Sequence, residues 1–181
     1  LAGLILAAGA ASTQQDSAPA DLLLDEEKSA LSDALGNYAW GVFLRLQGRP
    51  PEESHGKYIA DAVRALPGSD RLLAEFASPW LQRNDFAGAA EALAPVAKAR
   101  PEAHRIYMLL GFVYRGADKF AEAIEAFEHV YYELGEKREA VVRELSSLYW
   151  QEKRFADVRK LLRDAARSKE LRRSFVIDYA F

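Results

Sequence analysis

The stretch from His104 to Lys137 reappears, size class by size class, 34 residues earlier and 35 residues later in this 181-residue chain. Self-similarity at a fixed period decides an architecture before any single helix does. Tyr107 falls on Leu73 and Val142, Leu110 on Phe76 and Leu145, Gly111 on Ala77 and Ser146, and Tyr114 on Trp80 and Tyr149. After a polar break at Asp118 and Lys119, Phe120 falls on Phe86 and Phe155, Ala123 on Ala89 and Val158, Phe127 on Leu93 and Leu162, and Val130 on Val96 and Ala165. Within each copy these positions recur at helical spacing, so each copy reads as two amphipathic helices joined by a tight turn.

A lone pair of such helices cannot bury both apolar stripes, and neighbouring copies must supply the missing cover. Small residues (Ala77, Gly111, Ser146) stand where two helices approach closely, and large aromatics (Trp80, Tyr114, Tyr149) fill the wedge beside them. The expected fold class is all-α, an α-solenoid of stacked antiparallel helix hairpins.

The set Tyr107, Leu110, Gly111, Tyr114, Ala123, Phe127 and Val130 resembles the tetratricopeptide repeat (TPR) family, and the likeness covers about residues 70 to 172. Departures are Val96, Val130 and Val158 where the family has small residues, and only the first copy ends on a proline, Pro101. The resemblance implies a right-handed superhelix with the first helix of each hairpin on the concave side. It implies a non-catalytic scaffold for protein-protein interaction.

Three repeats are expected at 70–103, 104–138 and 139–173, preceded at 21–69 by leading helices with a degenerate repeat. In that leading region a helix is expected to start near Asp21 or Asp25, whose carboxylates suit exposed backbone amides. Ala39, Val42, Phe43 and Leu46 form one stripe, Gly48 to Pro51 a turn, and Tyr58, Ile59, Ala62 and Leu66 a second stripe. Pro67, Gly68 and Ser69 close it, with Asp70 as the cap of the first clear repeat. Pro79 and Pro95 fall inside expected helices, where each removes an amide donor and should kink the rod.

Residues 1–11 form an apolar and glycine-containing run, too short for the ~20 residues a spanning helix needs but of signal-peptide length. Ala8, Gly9 and Ala10 supply the small-x-small pattern of a cleavage site, and residues 12–20 read as a linker. The expected location is therefore exported, periplasmic or in the cell envelope; if the run instead packs on the array as a helix, the location is cytoplasmic. Leu4 to Ser12 also resembles the opening strand and loop of the nucleotidyltransferase family, yet Thr13, Gln14 and Gln15 follow where an arginine is required, and no strand-helix alternation comes after. The first residue is Leu1 rather than methionine. One further step of 35 lays Ile177 on Val142, Ala180 on Leu145 and Phe181 on Ser146, so 174–181 reads as the start of another helix and the chain as a piece of a longer protein.

Charge excludes a general nucleic-acid binder: 24 basic and 27 acidic residues give a formal net charge of -3. The balance is uneven, with 12 basic and 19 acidic groups in residues 1–135 against 12 and 7 in residues 136–173. Cysteine is absent, which removes disulfides and thiolate metal sites. His55, His104 and His129 sit in different turns without a second ligand at helical spacing, so neither a metal nor a cofactor is expected, and no catalytic constellation stands out.

Binding residues follow from the register of the first helices. Their non-core positions are Arg71, Ala74, Ser78, Leu81 and Gln82 in the first copy, Arg105, Met108, Phe112, Arg115 and Gly116 in the second, and Ala140, Arg143, Ser147, Trp150 and Gln151 in the third. Arginines beside Met108, Phe112 and Trp150 suit a protein or peptide partner carrying acidic groups. The lysine and asparagine set by which some relatives hold a C-terminal carboxylate is not reproduced, since Ala74 and Ser78 occupy its first two places. The array is also expected in two other settings, as an accessory domain of a larger enzyme or as a self-assembling structural protein.

Overall fold

The computed structural model describes residues 25–168, and every regular element among them is a helix. Helix α1 is Glu26–Leu46; α2 is one continuous rod made of Pro51–Glu53, a π-helical stretch Ser54–Ile59, and Ala60–Ala65. Then come α3 (Asp70–Gln82), α4 (Phe86–Ala99), α5 (His104–Gly116), α6 (Phe120–Glu128, running on as π-helical His129–Glu133), α7 (Glu139–Gln151) and α8 (Phe155–Arg167). Short turns pair them into hairpins, and each hairpin packs on the next. The fold is all-α, a solenoid of stacked antiparallel hairpins. The leader-like run 1–11, the linker 12–20 and the final segment 174–181 lie outside the described residues.

The turns inside the last three hairpins are copies of one another. Their middle residues, Asn84, Asp118 and Lys153, adopt the left-handed conformation at φ 53, 57 and 58°. In each, an amide five residues on reaches back to the carbonyl of the wedge aromatic: Asp85 to Trp80 at 2.8 Å, Lys119 to Tyr114 at 2.9 Å and Arg154 to Tyr149 at 2.7 Å. That bond satisfies a carbonyl the helix end would otherwise leave unpaired. The polar break and the preceding aromatic are thus parts of one device.

Side chains cap the starts of α1, α3 and α4, and one of these caps differs from the expected residue. The Asp25 carboxylate accepts from the amide of Lys28 at 2.8 Å. At α3 the cap is Ser69, whose Oγ accepts from Leu72 N at 3.3 Å, whereas the expected cap Asp70 is the first helical residue. A side chain caps from the residue just outside the helix, and Ser69 holds that place.

Two buried clusters form the core. One runs from Ile59 in α2 to Ala126 in α6, the other from Ala123 in α6 to Ala165 in α8, and Tyr107 and Tyr114 pack against both. Trp80, Phe76, Phe127 and Tyr149 are at most 1% exposed, and burying each such side chain contributes on the order of 2–3 kcal/mol. Close crossings require glycine: a Cβ on Gly111 would stand 2.7 Å from Phe127 Cζ, and one on Gly41 would stand 2.8 Å from Ile59 Cγ1.

The leading hairpin departs from the expected register. Ala39, Phe43 and Leu46 are exposed, Leu46 at 76%, while the buried positions among the described side chains of α1 are Ala34 and Gly41. Small residues let α1 approach α2, so its larger residues are turned away from that contact. Both α3 and α4 continue through their prolines rather than breaking there.

Candidate functional site

Three first helices create a groove. Ala74 and Leu81 on α3 and Met108 and Phe112 on α5 form its apolar walls, Val130 and Val141 close it toward the next hairpin, and its volume is about 510 Å³. Helical spacing explains the set: residues 74 and 81, and likewise 108 and 112, project from one face of their helix. Phe112 is 37% exposed. Its ring meets the buried Phe127 edge-on at 5.3 Å between centroids, which fixes its orientation.

The polar rim is internally neutralised. Arg105 donates to Gly68 O at 2.6 Å and to Asp70 Oδ1 at 2.7 Å, and Arg138 Nε lies 2.9 Å from Glu136 Oε2. Both guanidinium groups are therefore engaged by carboxylates of the array itself. Farther along α5, Arg115 pairs with Glu144, a residue only 8% exposed, and its guanidinium carbon lies 5.9 Å from the Phe112 ring centre.

Of the residues expected to bind a partner, Ala74, Leu81, Arg105, Met108 and Phe112 come together in this groove. The others stand elsewhere. Arg71 and Gln82 are exposed, Gln82 donating to Ser78 Oγ at 2.8 Å. Arg143, Ser147 and Gln151 are exposed on α7, and Trp150, 65% exposed, packs edge-on against Phe155 at 5.0 Å. Glu136, Arg138 and Val141 line the groove without having been foreseen. The extra residue that lengthens this repeat step from 34 to 35 was the available signal. The loop it lengthens folds back, Glu136 N bonding to Val130 O at 3.1 Å.

His55 and His129 are each held by neighbouring groups. His55 Nδ1 lies 2.8 Å from Ser54 Oγ, but the two residues are 1% and 0% exposed, so no substrate reaches them. Ser54 Oγ donates to Pro50 O at 3.2 Å, which leaves it to accept from His55. Burial lowers the pKa of His55 below the ordinary 6.5, and Arg45 lowers it further. His129 is fastened at both ring nitrogens, to Glu133 and to Pro101 O, each at 2.7 Å. Among the described residues no three histidine or carboxylate groups stand close enough to hold a metal ion, and no helix is long and apolar enough to cross a membrane.

No family model and no curated protein matches this chain. Among solved structures it is similar to a fragment of MamA from Desulfovibrio magneticus RS-1, at 20% identity and a TM-score of 0.49, over 78% of this chain and 77% of that one. It is similar as well to a single-substitution mutant of MamA, at 19% identity and a TM-score of 0.47, over 80% of this chain and 93% of that one.

Proposed function

We propose that this chain is a non-catalytic, TPR-type scaffold that holds a segment of a partner protein in the groove between α3, α5 and α7. One observation carries the reading: partly buried Met108 and exposed Phe112 form an apolar wall in a groove whose rim charges are already paired. Apolar anchors in a recess, surrounded by satisfied polar groups, are what concentrates binding energy at protein interfaces. The occupant is read as an apolar-anchored segment, because Arg105 and Arg138 have no free charge to offer an acidic one.

The test uses peptides selected on the purified protein from a random displayed library. Met108→Glu and Phe112→Glu should each abolish binding of the selected peptides while leaving the helical circular dichroism and the melting temperature in place. A folded double variant that keeps the peptides would remove the groove from the reading.

The scaffold is proposed to work outside the cytoplasm. The support is the apolar run at residues 1–11 with its Ala8-Gly9-Ala10 pattern. A fusion to a reporter enzyme that matures only after export should be active; an inactive, fully cytoplasmic fusion would count against it.

A further inference from the structure

A second cleft opens on the other side of the array, between α4 and α6, floored by α5. Its volume is about 740 Å³. Tyr107, Tyr114 and Tyr132 supply aromatic surface, and Glu122, Glu125, Glu128 and Glu133 supply carboxylates against a single lysine, Lys98. We propose that this cleft receives an extended basic segment, bearing lysine or arginine side chains, of a second protein, distinct from the occupant of the groove formed by the first helices.

Three observations carry the assignment. Glu122 and Glu125 are exposed on one face of α6, and neither takes part in an ion pair among the described residues, so their charge is available. Glu128 and Glu133 are partly engaged, the first by the Tyr149 hydroxyl at 2.6 Å and by Arg154 at 3.3 Å, the second by His129. Next, the carboxylates are spread out. Since no three of them converge on a point where a metal ion would sit, the cleft fits several spaced cations rather than one divalent ion. From Glu122 to Glu133 the helix rises roughly 16 Å, the length of about five extended residues. Finally, tyrosine faces attract ammonium and guanidinium groups, and the Tyr107 ring already meets His129 at a tilt of 37° with centroids 4.1 Å apart. The negative field is felt in the cleft: the Tyr114 hydroxyl is pushed up first by burial and then by Glu122 and Glu125, and Tyr107 first by burial and then by Glu133 and Glu102.

Charge also bounds the cleft. Tyr132 separates it from a basic recess that includes Lys137, Lys160, Arg163 and Arg167, so a basic chain is confined to the acidic side.

The probe is a fluorescein-labelled peptide of alternating arginine and serine, with a glutamate-serine peptide as its charge-reversed partner, read by anisotropy with the full chain. Glu122→Gln with Glu125→Gln should weaken the arginine peptide by about tenfold or more. Glu91→Gln with Glu152→Gln, which removes the same charge from exposed places outside the cleft, should leave binding within about twofold. Tyr132→Ala should weaken it without changing the melting temperature, and Phe112→Glu in the other groove should have no effect, which separates this proposal from the first. Absent binding, equal loss in both double variants, or loss on Phe112→Glu would each overturn it.

Discussion

Gly111 in α5 faces the ring of Phe127 in α6 so closely that an added Cβ would lie 2.7, 2.8 and 2.9 Å from three of its carbons. Phe127 is fully buried, so its ring has nowhere to retreat. Gly111→Ala should therefore destabilise the array by about 1–3 kcal/mol, the overpacking penalty exceeding the gain of up to ~1 kcal/mol from better helix propensity. Gly36 in α1 has no atom within 4 Å of such a Cβ, so Gly36→Ala should show only the gain. Denaturant unfolding of the two variants checks both signs.

The three repeated turns set up a comparison within one molecule. Asn84 and Asp118 tolerate the left-handed conformation because short polar side chains suit it, whereas Lys153 holds φ 58° at a cost. Lys153→Gly should raise stability by about 0.5–1 kcal/mol. The same change at Asn84 should do less. Thermal melts of the two variants decide it.

Arg115 is half exposed, but its partner Glu144 is not: only 10% of that side chain meets solvent, and the other guanidinium nearby, on Arg143, is 4.0 Å away. Arg115→Ala strands a buried carboxylate and should cost about 1–3 kcal/mol. Arg115→Met combined with Glu144→Leu should recover most of that loss, because a buried pair replaced by apolar groups leaves no charge behind. A double-mutant cycle measures the coupling.

Acid should lower the protein's stability in two steps. Burial and then Arg45 hold the pKa of His55 below 6.5 in the folded chain, so the unfolded chain takes up its proton at a higher pH than the folded chain does. Stability is thus whole above about pH 6.5 and falls as the pH drops below it. Asp164 acts later. Its carboxyl is held below the ordinary 3.8 by Lys137 and then by the Tyr131 hydroxyl, so its contribution persists above that value and is lost as the pH falls through the lowered one. Equilibrium unfolding from pH 7.5 to 3 should show the first decline flattened in His55→Asn and the second in Asp164→Asn.

Much of the fold was legible because the repeat is written in residue size. Leu73, Phe76, Ala77 and Trp80 are buried, as are Leu110 with Gly111, Val142 with Leu145, and Ala89, Leu93, Ala123 and Phe127. Where the register failed, the cause is physical. Helix α1 is apolar on nearly every side, so periodicity cannot tell its packed face from its free one, and small Ala34 and Gly41 won the packing against larger neighbours. In α8 the fully buried residues are Leu161 and Ala165, while Leu162 is only partly covered.

The candidate site was harder to read. Aligning the first helices was enough to name Met108 and Phe112, but not to show that Arg105 and Arg115 are spent on Asp70 and Glu144. Those pairings depend on side chains reaching across hairpins, 35 and 29 residues apart along the chain. Nor did any residue type announce the π-helical turn at His129–Glu133, which carries Val130 toward the groove and Tyr132 toward the acidic cleft.

Photo-crosslinking tests the binding groove most directly. Benzoylphenylalanine placed at Phe112, or at exposed Glu91 on α4, is irradiated with the library-selected peptides bound. Adducts from position 112 and none from position 91 are expected; bound peptide that crosslinks at 91 but never at 112 would contradict a binding surface built from the first helices.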